Sequence, residues 1–124
     1  MSVQRFASVI RLRPEKEAEY RALHADVWPG VLAALTRAHV RNYSIFLRDG
    51  VLFGYLEYVG DDYEADMARV AEDPETRRWW LLTDPCQQPV EGAAATAATA
   101  VTAATAAAGE KRWWAPMEEV FHLE

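Results

Sequence analysis

Tyr20 and His24 are the first side chains in this sequence that could do chemistry together. They lie four positions apart in a segment predicted to be helical, so both would project from one face, about one turn apart. An imidazole has an ordinary pKa of ~6.5 and can therefore donate and accept protons close to neutral pH. The same spacing also fits a structural role, in which His24 caps the helix end near Asp26 and Tyr20 packs against a sheet. The residues alone leave both interpretations open.

Tryptophan is the second unusual feature, since 5 of the 124 residues are Trp. Trp79 and Trp80 are consecutive in a predicted helix, where neighbouring side chains point ~100° apart. One ring can therefore enter the core while the other lines a cleft, and a flat apolar ring suits the C–H face of a sugar or another planar ligand. Burial of both rings in the core is the alternative. Trp113 and Trp114 precede the last predicted strand and could close the same pocket or the dimer interface, but a structural role is favoured.

The remaining polar candidates are weaker when each is taken alone. Tyr43 lies beside Asn42 in a predicted strand, where its phenol could bind a hydroxylated ligand, although most strand tyrosines are packing residues. His39 and His122 are expected to be solvated or structural. The histidines and Cys86 share no spacing typical of a zinc site, and we predict no metal. The sequence also has neither a glycine-rich phosphate loop nor a nucleophile elbow.

Four β-prone runs and four short helices must position these side chains. Between the second and third runs stands only Asp49-Gly50, which is typical of a type I′ hairpin turn. The resulting order, β-α-β-β-α-β with two helices in each α position, is typical of the α+β ferredoxin-like fold, a four-stranded antiparallel sheet with helices on one face. The strands are predicted at 4–12, 41–48, 51–60 and 117–123, and the helices at 14–27, 31–39, 61–73 and 74–84.

The third predicted strand is apolar on both of its faces. Phe53 and Tyr55 point to one side, and Leu52, Leu56 and Tyr58 to the other. Helices cover only one face of such a sheet, so the second face needs another cover. Face-to-face homodimerisation is the simplest source of one, and the sequence therefore predicts a homodimer.

Composition limits the class of protein. The length of 124 residues predicts one domain over 1–124, and the net charge of −6 argues against nucleic acid or an anionic membrane as a partner. The sequence shows no membrane-spanning run and no secretory signal, and one cysteine suits a reducing compartment, so we expect a soluble cytoplasmic protein. Residues 93–108 contain only Ala, Thr and one Val, and are predicted to be an exposed insertion, poorly ordered or a fraying helix.

Several short blocks along the chain are informative in combination. They are Tyr20–His24 followed by Val27-Trp28-Pro29, then Arg41–Leu47, then Arg78-Trp79-Trp80 with Thr83-Asp84, and finally Glu118–Leu123. Together, and in this spacing, they resemble the L-rhamnose mutarotase family. The resemblance covers nearly the whole chain outside residues 93–108, where the sequence departs from the family pattern.

The resemblance implies a dimeric ferredoxin-like α/β barrel that interconverts the α and β anomers of L-rhamnose without a cofactor. It further implies that His24 is the proton donor and that the sugar is contacted by Tyr20, Tyr43, Trp79 and Trp80.

The residues suit this reaction, which opens the sugar ring to an aldehyde and closes it on the other face. Mutarotation already proceeds in water, so it needs no metal or redox group. One histidine that acts as acid and base, typically worth ~10²–10⁴-fold, and a pocket that orients the sugar suffice. Two other functions stay open: a cofactor-free monooxygenase on a similar dimeric barrel, and a non-catalytic ligand-binding or dimerisation module in which Tyr20 and His24 are structural.

Overall fold

The computed structural model describes residues 3–90 and 114–124. The elements, in chain order, are β1 (Gln4–Leu12), α1 (Glu17–Ala25), α2 (Pro29–Arg37), β2 (Val40–Arg48), β3 (Val51–Tyr58), α3 (Tyr63–Glu72), α4 (Pro74–Thr83), β4 (Gln87–Gln88) and β5 (Ala115–Met117). Short 3-10 helices precede α1 and follow α4. The predicted β-α-β-β-α-β order, with two helices in each α position, is therefore confirmed.

Helices α2, α3 and α4 begin where the sequence offers a proline or an aspartate. Pro29 is the first residue of α2, a position that suits proline because the first N–H of a helix has no partner within it. Asp62 caps α3 by accepting a hydrogen bond from the backbone N–H of Ala65. Asp73 caps α4 in the same way, accepting from the N–H of Thr76. These caps place the start of α4, and hence Trp79 and Trp80, at a defined point of the fold.

The sheet is antiparallel with the order β2-β3-β1, and the outer edge of β1 is shared by two short strands. β4 pairs with Arg11–Leu12, and β5 pairs with 7–9. Together they fill the fourth position of a ferredoxin-like sheet, as the sequence predicts.

The predicted final strand at 117–123 is wrong, because β5 covers Ala115–Met117 and only Met117 is common to both. Apolar content motivated that prediction. Val120 and Phe121, however, are 93% and 78% exposed, so these side chains are not buried by their own chain.

The turn between β2 and β3 confirms the predicted hairpin. Asp49 has φ 51° and Gly50 has φ 73°, the left-handed values that a type I′ turn requires at both central positions. Gly50 accepts this conformation without steric penalty because it lacks a Cβ. The turn sets the register in which Phe46 faces Phe53 and Leu47 faces Leu52.

The helices pack on one face of the sheet and form two adjoining hydrophobic clusters. The first, which we call the α3-side cluster, contains Ala38, Val40, Leu56, Tyr58, Met67 and Val70. The second, the α1-side cluster, contains Ile10, Leu12, Tyr20, Leu52, Cys86 and Trp114. Trp114 is therefore structural, as predicted, whereas Trp113 lies outside the described residues.

The opposite face of the sheet, which we call the open face, has no cover from this chain's helices. Phe53 and Phe46 lie on it as register partners, and Phe46 is 63% exposed. The third strand, β3, is therefore apolar on both sides, as predicted. The Ala/Thr tract at 93–108 lies outside the described residues. Within the described ranges, no helix is long and apolar enough to cross a membrane.

Candidate active site

His24 stands at the centre of an aromatic array built by α1 and α4. Its ring stacks on Tyr20, with ring centroids 4.2 Å apart, and meets the edge of Trp79 at 5.3 Å. Trp79 in turn meets Trp28 at 5.2 Å. The four-residue spacing of Tyr20 and His24 on one helix face explains the first contact, and α4 supplies the second. The structure therefore brings together Tyr20, His24 and Trp79.

The hydrogen bond that His24 makes defines which of its nitrogens can react. Nδ1 lies 2.9 Å from the carbonyl oxygen of Tyr20. A carbonyl can only accept, so Nδ1 donates, and the neutral ring carries its lone pair on Nε2. Partial burial lowers the pKa of His24 below 6.5, although the bond to the carbonyl opposes this shift. At neutral pH His24 is therefore mainly an uncharged base with its reactive nitrogen at Nε2.

Tyr20 is buried in the α1-side cluster, and its hydroxyl accepts a hydrogen bond from Nε2 of Gln87 at 3.2 Å. Burial raises the pKa of Tyr20 to about 12, outweighing the bond from Gln87. The side chain is thus a neutral phenol, and a phenol that accepts one hydrogen bond still has its own hydrogen to donate. Tyr20 consequently combines the packing role that the sequence left open with the capacity to bind an oxygen atom.

Asp84 is a neighbouring group that the sequence analysis did not single out. It begins the short 3-10 helix after α4 and is partly buried. Burial raises the pKa of Asp84 to about 6, and its charge contributes to the raised pKa of Tyr20. A carboxylate in this position could accept hydrogen bonds from hydroxyl groups. Only its place in the Thr83-Asp84 block hinted at it.

Trp28 was also missed as part of the array. It precedes Pro29 in extended backbone, as residues before proline usually do, and so places its indole against Trp79. The sequence carried a signal for it, since Tyr20, His24 and Trp28 recur every four residues.

Trp80 and Tyr43 are the two other predicted sugar contacts. Trp80 is partly buried and packs against the α3-side cluster, because consecutive helical side chains point in different directions. Tyr43 lies on β2, 39% exposed, beside Asn42, whose φ of 48° marks an irregularity in the pairing of β2 with β3. Both assignments stay predictions.

A second polar cluster surrounds the buried carboxylate of Asp66 and is structural. Tyr58 donates to its Oδ2 at 2.5 Å, Nδ1 of His39 lies 3.1 Å from the same oxygen, and Arg69 donates to Oδ1 at 3.0 Å. The bond from Tyr58 is the main reason why the pKa of Asp66 is lowered. His39 thus ties the start of β2 to α3, in line with the structural role expected for it.

Across residues 3–90 and 114–124, no group of three or more His, Cys, Asp or Glu side chains is placed to hold a metal ion.

Comparison with known proteins gives the family. The sequence model of L-rhamnose mutarotase matches residues 5–123. An L-rhamnose mutarotase of Rhizobium johnstonii is 32% identical over 104 residues, which cover 77% of this chain and 95% of that protein. One of Burkholderia orbicola is 38% identical over 92 residues, 68% of this chain and 86% of that protein.

Among solved structures, the crystal structure of an L-rhamnose mutarotase from Formosa agariphila superimposes with a TM-score of 0.67. It shares 22% sequence identity and covers 98% of this chain and 99% of its own, which supports the ferredoxin-like fold. With the family model spanning nearly its full length, the chain belongs to the L-rhamnose mutarotase family.

Proposed function

We propose that this protein interconverts the α and β anomers of L-rhamnose by acid–base opening and reclosure of the pyranose ring. Family membership supports the substrate and the reaction. The observation that carries the mechanism is the orientation of His24. Its Nδ1 is tied to the Tyr20 carbonyl, and this leaves the basic Nε2 for the sugar beside the rings of Tyr20 and Trp79.

The proton balance of the reaction fits a single imidazole. Ring opening removes a proton from the anomeric hydroxyl and adds one to the ring oxygen, so nothing is gained or lost overall. Neutral His24 takes the first proton at Nε2 and, as imidazolium, returns it to the ring oxygen, which is bonded to the same carbon as the hydroxyl. Rotation about the C1–C2 bond and the reverse transfers give the other anomer. Such general acid–base catalysis typically contributes ~10²–10⁴-fold.

The aromatic side chains would hold the sugar while the proton moves. An indole ring offers an apolar surface to the C–H groups and the methyl of a 6-deoxy sugar, and a phenol can bind its hydroxyls. We assign these contacts to the side chains that the family resemblance implies, Tyr20, Tyr43, Trp79 and Trp80.

The direct test is His24→Ala, assayed by saturation transfer between the two anomeric protons of L-rhamnose, with L-fucose and D-glucose measured beside it. We expect exchange to fall to the uncatalysed rate while circular dichroism and particle size stay unchanged. Arg21→Ala is the matched control, because Arg21 lies on the same helix and its exposed side chain pairs with Glu17. Undiminished exchange in His24→Ala would remove His24 from the mechanism, and rhamnose binding without rate enhancement by the wild type would favour a binding module.

We also propose that two copies pair through the open face. Exposed aromatic side chains on one side of a sheet suit a two-fold dimer, in which the same surface serves both partners. The C-terminal segment extends this surface, since Glu119 pairs with Arg5 at 3.0 Å while the side chains around it are exposed. The exposed apolar side chains are Phe46, Phe53, Met117, Val120, Phe121 and Leu123.

The cytoplasm is the compartment we propose for this dimer. Cys86 is a buried free thiol, and the sequence holds no second cysteine with which it could form an internal disulfide. A reducing compartment suits such a chain.

A further inference from the structure

Helix α4 holds the corner between α1 and α2 at two points. Glu75 and Trp79 lie four positions apart on α4 and so share one face of it. Glu75 accepts a hydrogen bond at Oε2 from the backbone N–H of Gly30, 3.1 Å away. One turn further on, Trp79 meets the ring of Trp28 at 5.2 Å. One face of α4 therefore contacts the corner from Trp28 to Gly30 at two points.

The carboxylate of Glu75 fills the space beside the Cα of Gly30. A Cβ added to Gly30 would lie 2.3–2.7 Å from the carboxylate atoms of Glu75, so the carboxylate occupies the space that any side chain there would need. Gly30 is the second residue of α2, where the backbone N–H has no partner within the helix and the helix end carries partial positive charge. Trp28, the capping residue, provides no side-chain hydrogen bond of its own. Glu75 thus supplies from another helix the cap that α2 lacks.

Two ring contacts connect this corner to His24. Trp28 packs on Trp79, which is only 5% exposed, and Trp79 packs on His24. We propose that Glu75 is a positioning residue: by holding Gly30 it fixes Trp28 against Trp79 and thereby sets the indole that borders His24. This inference rests on the proposed function for its catalytic consequence, although its structural part can be measured without substrate.

The test compares four variants with a control on the same helix. Glu75→Ala removes the acceptor, and Glu75→Gln keeps an acceptor oxygen without the charge. Gly30→Ala displaces the carboxylate with a Cβ, and the fourth variant combines Gly30→Ala with Glu75→Ala. Arg77→Ala is the control, since Arg77 is an exposed residue of α4. Two measurements are made on each variant. The first gives kcat and KM for anomer exchange, and the second is the NMR titration of the His24 Hε1 proton without substrate.

We expect Glu75→Ala to lower kcat about tenfold, because small displacements of groups that border a reacting centre are costly. Its His24 titration should move toward the ordinary value, since a looser indole lets water reach the imidazole that burial now perturbs. Glu75→Gln should keep most of the wild-type kcat and a His24 titration close to that of the wild type. Gly30→Ala should resemble Glu75→Ala, and the double variant should be no worse than either, because all three lose the same bond.

An unmoved His24 titration in Glu75→Ala would overturn the proposal, whatever happens to the rate. Additive losses in the double variant would do the same, since they would show that Gly30 and Glu75 act separately. If the wild type itself fails to exchange rhamnose anomers, the proposed function fails, but the titration still decides the positioning role.

Discussion

Asp84 provides a measurable test of how burial at the end of α4 affects stability. This carboxyl is partly buried beside Tyr20, and burial raises its pKa from 3.8 to about 6. The charged form is therefore less favourable in the folded protein than in the unfolded chain. The perturbation we consider is Asp84→Asn, which removes the charge and nearly preserves the shape.

The sign follows from proton linkage. The folded state binds the Asp84 proton more tightly than the unfolded chain does. The contribution of protonated Asp84 to the free energy of unfolding is therefore complete below pH 3.8 and is lost as the pH rises through about 6. The difference between the two pKa values corresponds to ~3 kcal/mol at most. Because water screens a partly exposed carboxylate, we expect the effect on the free energy of unfolding to be about 1 kcal/mol.

Urea unfolding at 25 °C and a fixed protomer concentration measures the effect. At pH 8, Asp84→Asn should be more stable than the wild type by about 1 kcal/mol, and near pH 4 most of that gain should disappear. Asp61→Asn is the control, since Asp61 is exposed and substitutions at such surface positions usually stay within ~0.5 kcal/mol. Equal stability at pH 8, or a gain of the same size at both pH values, would refute the argument.

Two further predictions concern the site and the open face. The mechanism that we propose needs neutral His24, and burial lowers the pKa of His24 below 6.5, so anomer exchange at pH 6.5 should exceed half of its plateau rate. A half-maximal point above pH 6.5, measured by saturation transfer across a pH series, would contradict this. Phe46→Asp should convert the proposed dimer to a monomer in analytical ultracentrifugation, because it places a charge in the apolar interface, whereas Leu32→Asp on an exposed position of α2 should not. A dimeric Phe46→Asp, or a monomeric wild type, would exclude pairing through this face.

The fold could be predicted largely because its signals are local. β1 spans Gln4–Leu12, the same bounds as the β-prone run in the sequence. Asp49-Gly50 specifies the hairpin, since few residues adopt left-handed backbone twice in succession. The last strand was misplaced because its position depends on contacts that are not local in the sequence. An apolar run such as 120–123 indicates that something buries it, but not whether the cover is its own sheet or another surface.

Less of the candidate site could be predicted, because it depends on how helices pack. The spacing of Tyr20 and His24 predicts that they share a face, and they do. The spacing does not specify which ring nitrogen of His24 lies against the Tyr20 carbonyl, four residues earlier on the same helix. Glu75 is still harder to find, because its partner Gly30 is 45 residues away in the chain.

The two adjacent tryptophans show why burial alone could not separate packing from function. The sequence allows one ring to enter the core while the other faces a cleft, without saying which, and it equally allows both rings to be buried. Trp79 is the ring that borders His24, yet it is buried, and Trp80 packs on the α3-side cluster. The array around His24 is therefore continuous with the core, as the burial of Tyr20 also shows. It follows that substitutions at Tyr20 or Trp79 will change stability as well as the sugar binding that we propose for them. Their kinetic effects are therefore interpretable only beside an unfolding measurement.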